Sequence, residues 1–173
     1  PDRVVASLCM GSKELYDFVD NNPIFYFKSS GFVNDPNVIA KNDNFISISS
    51  ALEVDLTGQV CTDSKGYLFY SGIGDQVDFI RGSSMSKGGF SIIIIPSTAQ
   101  NGKVSRIVTH LSEGAGVATT RGDIDIIVTE YGIAEMRGKS IYQRVMELAR
   151  ITHPKFRKNL IEEAKKRHYI FPD

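Results

Sequence analysis

Tyr70-Ser71-Gly72-Ile73-Gly74-Asp75-Gln76-Val77-Asp78-Phe79-Ile80-Arg81-Gly82, followed by Gly88-Gly89 and the run Phe90 to Ile95, is the stretch on which the reading of this chain turns. A Gly-x-Gly turn leads into a short segment of helical apolar period. The double glycine then opens a strand apolar enough to be buried on both faces of a sheet. Glycine reaches positive φ without steric cost and leaves its N–H uncovered, so two such turns close together aim amides at a ligand oxygen or phosphate. The competing reading is a pair of tight surface turns, which glycines also mark. A Rossmann dinucleotide turn is disfavoured, because its third glycine falls at position 77, where the chain has Val77.

Val4 to Met10 reads as a buried strand, and Gly11-Ser12 turns it into a helix with Ser12 as N-cap and Leu15, Phe18 and Val19 on one stripe. Asn22-Pro23 ends that helix, Ile24 to Phe27 reads as a second strand, and Phe32 to Asn37 as a polar, turn-rich connection. Phe45 to Ser49 and Glu53 to Cys61 alternate with period two, which argues for strands with two different faces. Val104 to Leu111, Val117 to Thr120 and Ile124 to Thr129 complete the strand-rich part. From Ser140 the period becomes helical, with Ile141, Val145, Leu148 and Ala149 on one face. A second helix starts near Pro154 and carries Phe156, Leu160, Ile161 and Ala164. The pattern predicts an α/β domain with a mixed sheet and flanking helices, its strands too densely spaced for strict βαβ alternation.

A chain of 173 residues, 42% of them apolar, can bury one proper core and is short for two domains. Twenty basic residues balance twenty acidic ones, so no net field draws the protein to nucleic acid or to an anionic membrane. No apolar run approaches bilayer length and Pro1-Asp2-Arg3 lacks a leader pattern, so a cytoplasmic protein is expected. Cys9 and Cys61 lie in apolar strand-like runs and read as buried reduced thiols. His110, His153 and His168 have no ligand-spaced partners, so no metal site is expected.

Several segments, in order and almost end to end, resemble the C-terminal domain of the acetyl-CoA hydrolase and transferase family: Met10-Gly11-Ser12, Phe32 to Pro36, Asn42-Asp43-Asn44, Val54 to Val60, Ser71 to Gly74 with Gln76 to Phe79, Lys87-Gly88-Gly89, Ile95 to Thr98, and Thr129 to Ala134. The resemblance implies a CoA-transferase-type fold of the mixed-sheet α/β kind, with residues 1–173 as the C-terminal domain and an N-terminal domain elsewhere. It implies CoA transfer between a short-chain acyl-CoA (4-hydroxybutyryl-, butyryl- or acetyl-CoA) and a carboxylate such as acetate. Coenzyme A is then a substrate, no cofactor is tightly bound, and the intact protein forms a homo-oligomer. The chemistry is double displacement by a glutamate through a glutamyl-CoA thioester.

By the same resemblance the nucleophilic glutamate lies upstream of Pro1, and no residue of this chain is the nucleophile. Ser49 and Gly89 are then expected at the oxyanion and acyl site, and Gly72, Gly74, Asp75, Gln76 and Gly88 along the CoA. Read without the resemblance, Glu130 is the natural nucleophile, at the end of an apolar strand beside a glycine turn; the alternative is an acid locked into that turn by backbone N–H groups. Two departures stand out. The family usually has asparagine where this chain has Ser49, and glycine where it has Asp75, which could cap the following helix and would also repel an anion. An acyl-CoA hydrolase, or a non-catalytic CoA-binding or oligomer-forming module, remains open beside the transferase.

Overall fold

The computed structural model describes residues 3–171. Pro1 and Asp2, read above for a leader signal, lie outside them. The first unit is a crossover: strand β1 (Val4–Ala6), helix α1 (Lys13–Val19) and strand β2 (Phe25–Phe27), with β1 and β2 parallel. Ser12 caps α1 as expected, accepting the Leu15 N–H at 3.3 Å. The strand expected over Val4 to Met10 is only three residues long, and it is exposed rather than buried. Lys28 N–H closes on Ala6 O and ends the ladder; among the described residues each strand pairs with the other alone, and no second layer covers Val4 or Val5. The α1 stripe is likewise open: Phe18, 60% exposed, meets Phe25 edge-on at 5.7 Å. Cys9 falls outside β1 and is half-buried, whereas Cys61 is fully buried as expected.

The connection expected over Phe32 to Asn37 is helical instead, as α2 (Ser30–Val33) and α3 (Pro36–Ile39). Asp35 caps α3 by accepting the Asn37 N–H at 2.8 Å, and Pro36 takes the first-turn position where its missing N–H does no harm. Both signals were present, but each helix is a single turn with too few residues to show a period.

The main sheet contains β3 (Ile46–Ser50), β8 (Phe90–Ile94), β12 (Ile126–Thr129) and β13 (Gly132–Glu135) in the order β13-β12-β8-β3. The first three run parallel, and β13 returns antiparallel from β12. Between them the chain forms β4 (Glu53–Asp55), β5 (Val60–Cys61), β6 (Ser64–Lys65), β7 (Leu68–Phe69), α4 (Gln76–Met85), β9 (Thr98–Ala99), β10 (Val104–Ser105) and β11 (Ile107–Val108). Helices α5 (Ile141–Ile151) and α6 (Pro154–Lys166) follow. A capping box between Ser140 and Gln143 starts α5.

One face of the main sheet carries Ser47, Ser91, Ile93, Ile127, Thr129 and Ala134, all buried. Both α4 and α5 pack on that face: Ser47 and Ser83 hydroxyls meet at 3.0 Å, and Thr129 donates to Ile151 O at 2.6 Å. The apolar core continues there through Val54, Leu56, Ile80, Val145, Leu148 and Leu160. The opposite face is bare. Ile46, Ile48, Ile94 and Ile133 are 47%, 63%, 47% and 55% exposed, so the expectation that Phe90 to Ile95 is buried on both faces is wrong for one of them.

The strand expected over Glu53 to Cys61 is a hairpin, β4 turning into β5. Asp55 forces the turn by accepting from Thr57 N, Thr57 Oγ1 and Gln59 N at 2.7–3.0 Å, and Gly58 supplies a φ of +91°. Val104 to Leu111 is broken into β10 and β11, which belong to different small sheets. Val117 to Thr120 contributes only an isolated bridge, Thr119 to Val60.

Candidate functional site

A cleft of about 460 Å³ opens where β3 ends and α4 begins, lined by Ile48, Ser49, Ser50, Thr62 and Ser71 to Gln76. It lies at the carboxyl end of a parallel strand, the place where open α/β sheets hold ligands. Five of the residues singled out from sequence come together here: Ser49, Gly72, Gly74, Asp75 and Gln76.

From Gly72 to Val77 no main-chain N–H finds an acceptor among the described residues. The last of these are the opening amides of α4, whose dipole places its positive end at the cleft. Gly74 has a φ of +69°, which favours glycine. Gly72 does not: its φ is not positive, and a Cβ there would meet nothing within 4 Å. Nothing in the fold explains Gly72, which leaves the solvent side, where a ligand would approach.

Gln76 is buried and donates from Nε2 to Ser50 O at 3.2 Å, tying the helix start to the strand end. Its Oε1 and the Thr62 hydroxyl are buried with no partner among the described residues. Asp75 occupies the cap position of α4 but makes no capping hydrogen bond through its side chain, at a φ of −101° and ψ of 1°. The capping role expected for it is absent, and its exposed carboxylate stands at the cleft mouth beside the free amides.

Gly88 and Gly89 do not join this group. Ser49 pairs with Ile93, so Gly89 sits four residues back along β8, about 13 Å away at the other end of the sheet. Its N–H is committed to Ser86 O at 3.0 Å. A Cβ at Gly89 would lie 2.3 Å from Ser83 O and 2.7 Å from Phe45 O, so close packing of backbones accounts for this glycine.

Glu130 is also elsewhere, just beyond β12 and two strands from β3. Ser97 holds its carboxylate through both N–H and hydroxyl, at 2.9 and 2.5 Å. Burial pushes the Glu130 pKa up, but the Ser97 hydroxyl and amide outweigh it and hold it below the usual glutamate value. This is the locked-acid reading, with a serine as the lock. Glu53 is held the same way, by Ser112 N–H at 2.9 Å and its hydroxyl at 2.7 Å. Among the described residues no cluster of His, Cys, Asp and Glu could hold a metal, and no helix is long and apolar enough to cross a membrane.

Thr62 and Ser50 were missed by sequence reasoning. Thr62 reaches the cleft because β5 folds back on β4, a pairing that the local alternation does not signal. Ser50 carried a weak signal as the neighbour of Ser49 at a strand end.

Residues 11–164 match the acetyl-CoA hydrolase/transferase C-terminal domain. The chain is 54% identical to 4-hydroxybutyrate coenzyme A transferase of Clostridium kluyveri over 167 residues, 96% of this chain and 39% of that protein. It is 46% identical to succinyl-CoA:cyclohexane-1-carboxylate CoA transferase of Geobacter metallireducens, over 97% of this chain and 38% of the relative. The crystal structure of RipA from Yersinia pestis superposes with a TM-score of 0.91 at 41% identity, covering 97% of this chain and 38% of RipA. A 4-hydroxybutyrate CoA-transferase from Porphyromonas gingivalis gives a TM-score of 0.78 at 45% identity, covering 96% and 38%. This chain thus spans less than two-fifths of the length of these relatives.

Proposed function

Because the chain belongs to the acetyl-CoA hydrolase/transferase family through its C-terminal domain, we propose that the whole protein moves CoA between a short-chain acyl-CoA and a small carboxylate. The observation that carries this reading is the run of uncommitted N–H groups from Gly72 to Val77, set beside the Ser49 hydroxyl at the end of β3. Such a wall suits an oxygen that gains negative charge.

A glutamate carboxylate from outside these residues attacks the thioester carbon, forming an acyl-glutamyl anhydride and expelling CoA thiolate. The thiolate attacks the glutamyl carbonyl, releasing the first carboxylate and leaving a glutamyl-CoA thioester. An acceptor carboxylate attacks that carbonyl, giving a new anhydride and thiolate, and the thiolate takes the new acyl group and frees the glutamate. Each attack puts charge on a carbonyl oxygen. In this reading Ser49 and the amides around Gly72 and Gly74 stabilise that charge, while Gln76 holds the two elements in register. CoA is a substrate, and an N-terminal domain completes the site in a cytoplasmic homo-oligomer.

The test is whole protein with butyryl-CoA and acetate. Butyrate and acetyl-CoA should appear in equal amounts with no net loss of thioester. Acetate-independent release of free CoA supports a hydrolase instead. No reaction supports a non-catalytic CoA-binding module, a reading favoured by the Asp75 carboxylate at the cleft mouth and by the single donor of Ser49.

A further inference from the structure

Strand β3 is the outermost of the parallel ladder, and its free side is organised to receive a neighbour. Phe90 N–H donates to Phe45 O at 3.2 Å. In a parallel pair that phase gives the N–H and C=O groups of Ser47 and Ser49 to β8 and turns those of Ile46 and Ile48 outward. A groove of about 360 Å³ runs along this side between β3 and the start of α4, and it includes Phe45 and Phe79. It shares Ile48, Ser49, Asp75 and Gln76 with the cleft described above. The adjoining sheet face is the bare one, with Ile46, Ile48, Ile94 and Ile133 all roughly half exposed. Parallel sheets in folded proteins are covered on both faces, and a flat apolar edge left open is a template for aggregation.

We infer that an extended segment of the polypeptide outside these 173 residues pairs with β3 as a further strand of the main sheet, and that the chain attached to it covers the four isoleucines. This rests on the proposal that the working protein is longer than this chain, and not on its chemistry. The length suffices, since relatives devote more than three-fifths of their residues to other parts. A second copy is the poorer occupant. Pairing of β3 with β3 across a two-fold axis would bury the edge but leave Ile133, on the far strand of the sheet, in water.

The test is hydrogen exchange on the whole, unmodified protein, resolved to single amides. The amides of Ile46 and Ile48 should exchange at least about 100-fold more slowly than in an unstructured chain, as those of Ser47 and Ser49 do. Protection at Ser47 and Ser49 with open exchange at Ile46 and Ile48 overturns the inference. In the whole protein, Ile48→Cys should also react with a thiol reagent far more slowly than Asn159→Cys on the exposed side of α6. Equal rates overturn it, and so does protection that vanishes on dilution together with an oligomer, which assigns the edge to a second copy. Because neither readout uses activity, a protein that protects β3 but transfers no CoA sinks the functional reading and leaves this inference standing.

Discussion

Ser97 gives both its main-chain N–H and its hydroxyl to the carboxylate of Glu130. The two bonds favour the ionised acid and lower its pKa despite burial. A carboxyl whose folded pKa lies below its unfolded one stabilises the fold above the unfolded value, and the stabilisation is lost as pH falls through the folded value. Glu130→Gln should therefore lower the melting temperature at neutral pH, and the difference from the parent should shrink to nothing in acid. A pH-independent difference between the two melting curves would show that shape, and not charge, is what Glu130 supplies.

Three glycines should separate cleanly on substitution by alanine. Gly72→Ala should change stability by no more than about 0.5 kcal/mol, or raise it slightly by restricting the unfolded chain. Gly74→Ala should destabilise by about 1–2 kcal/mol because of its positive φ. Gly89→Ala should destabilise by about 3 kcal/mol, since the new methyl meets backbone oxygens that cannot move aside. Urea denaturation measures all three. In the whole protein, if the proposed reaction holds, Gly72→Ala should lower turnover per folded molecule about 10²-fold, because its methyl would stand on the solvent side and push a bound substrate out of position while leaving the N–H in place; unchanged turnover would remove Gly72 from the site.

Arg144 is 8% exposed, and its guanidinium donates to Lys139 O, Thr57 O and Arg121 O at 3.1, 3.2 and 2.7 Å. Burial, with Arg121 nearby, lowers its pKa. It acts as a hub for three loop carbonyls. Arg144→Met should destabilise by about 2–4 kcal/mol by orphaning them, and Arg144→Lys should recover little, because a point ammonium cannot span the same fork. Full recovery by lysine in a thermal melt would contradict the hub.

The helices at the end of the chain were legible because each is long enough to show its period and each has a start signal, Ser140 for α5 and Pro154 for α6. The loop before α4, Ser71 to Asp75, was legible from its glycines, whereas Ser49 was expected at the site only through the family resemblance. Gly89 misled, because a glycine forced by approaching backbone and a glycine left open for a ligand are the same letter in sequence. The burial of Phe90 to Ile95 was half right for a related reason: four isoleucines report that both faces of β8 are apolar, but not whether the cover for the second face lies within these residues.

That asymmetry is measurable. Ile93 is fully buried, and Ile93→Ala should destabilise this chain by about 2–5 kcal/mol. Ile94 is 47% exposed, and Ile94→Ala should cost less than about 1 kcal/mol here and more in the whole protein. Equal effects in this chain, by chemical denaturation, would mean that the bare face is already covered.

The partners of β3 are far apart in the order of synthesis. Strand β3 ends at Ser50 and β8 begins at Phe90, so on a ribosome adding about 5–20 residues per second β3 waits for β8 for roughly 2–8 s. During that time Ser47 and Ser49 have no β8 to accept their hydrogen bonds, and Ser47 has no α4 to pack against until residues 76–85 have been made. If the strand inferred for the free edge comes from earlier in the polypeptide, it will have been made before β3, so β3 would meet its outer neighbour first and its inner one second. Assembly of this sheet would then proceed from the edge that is bare in the isolated chain toward β13.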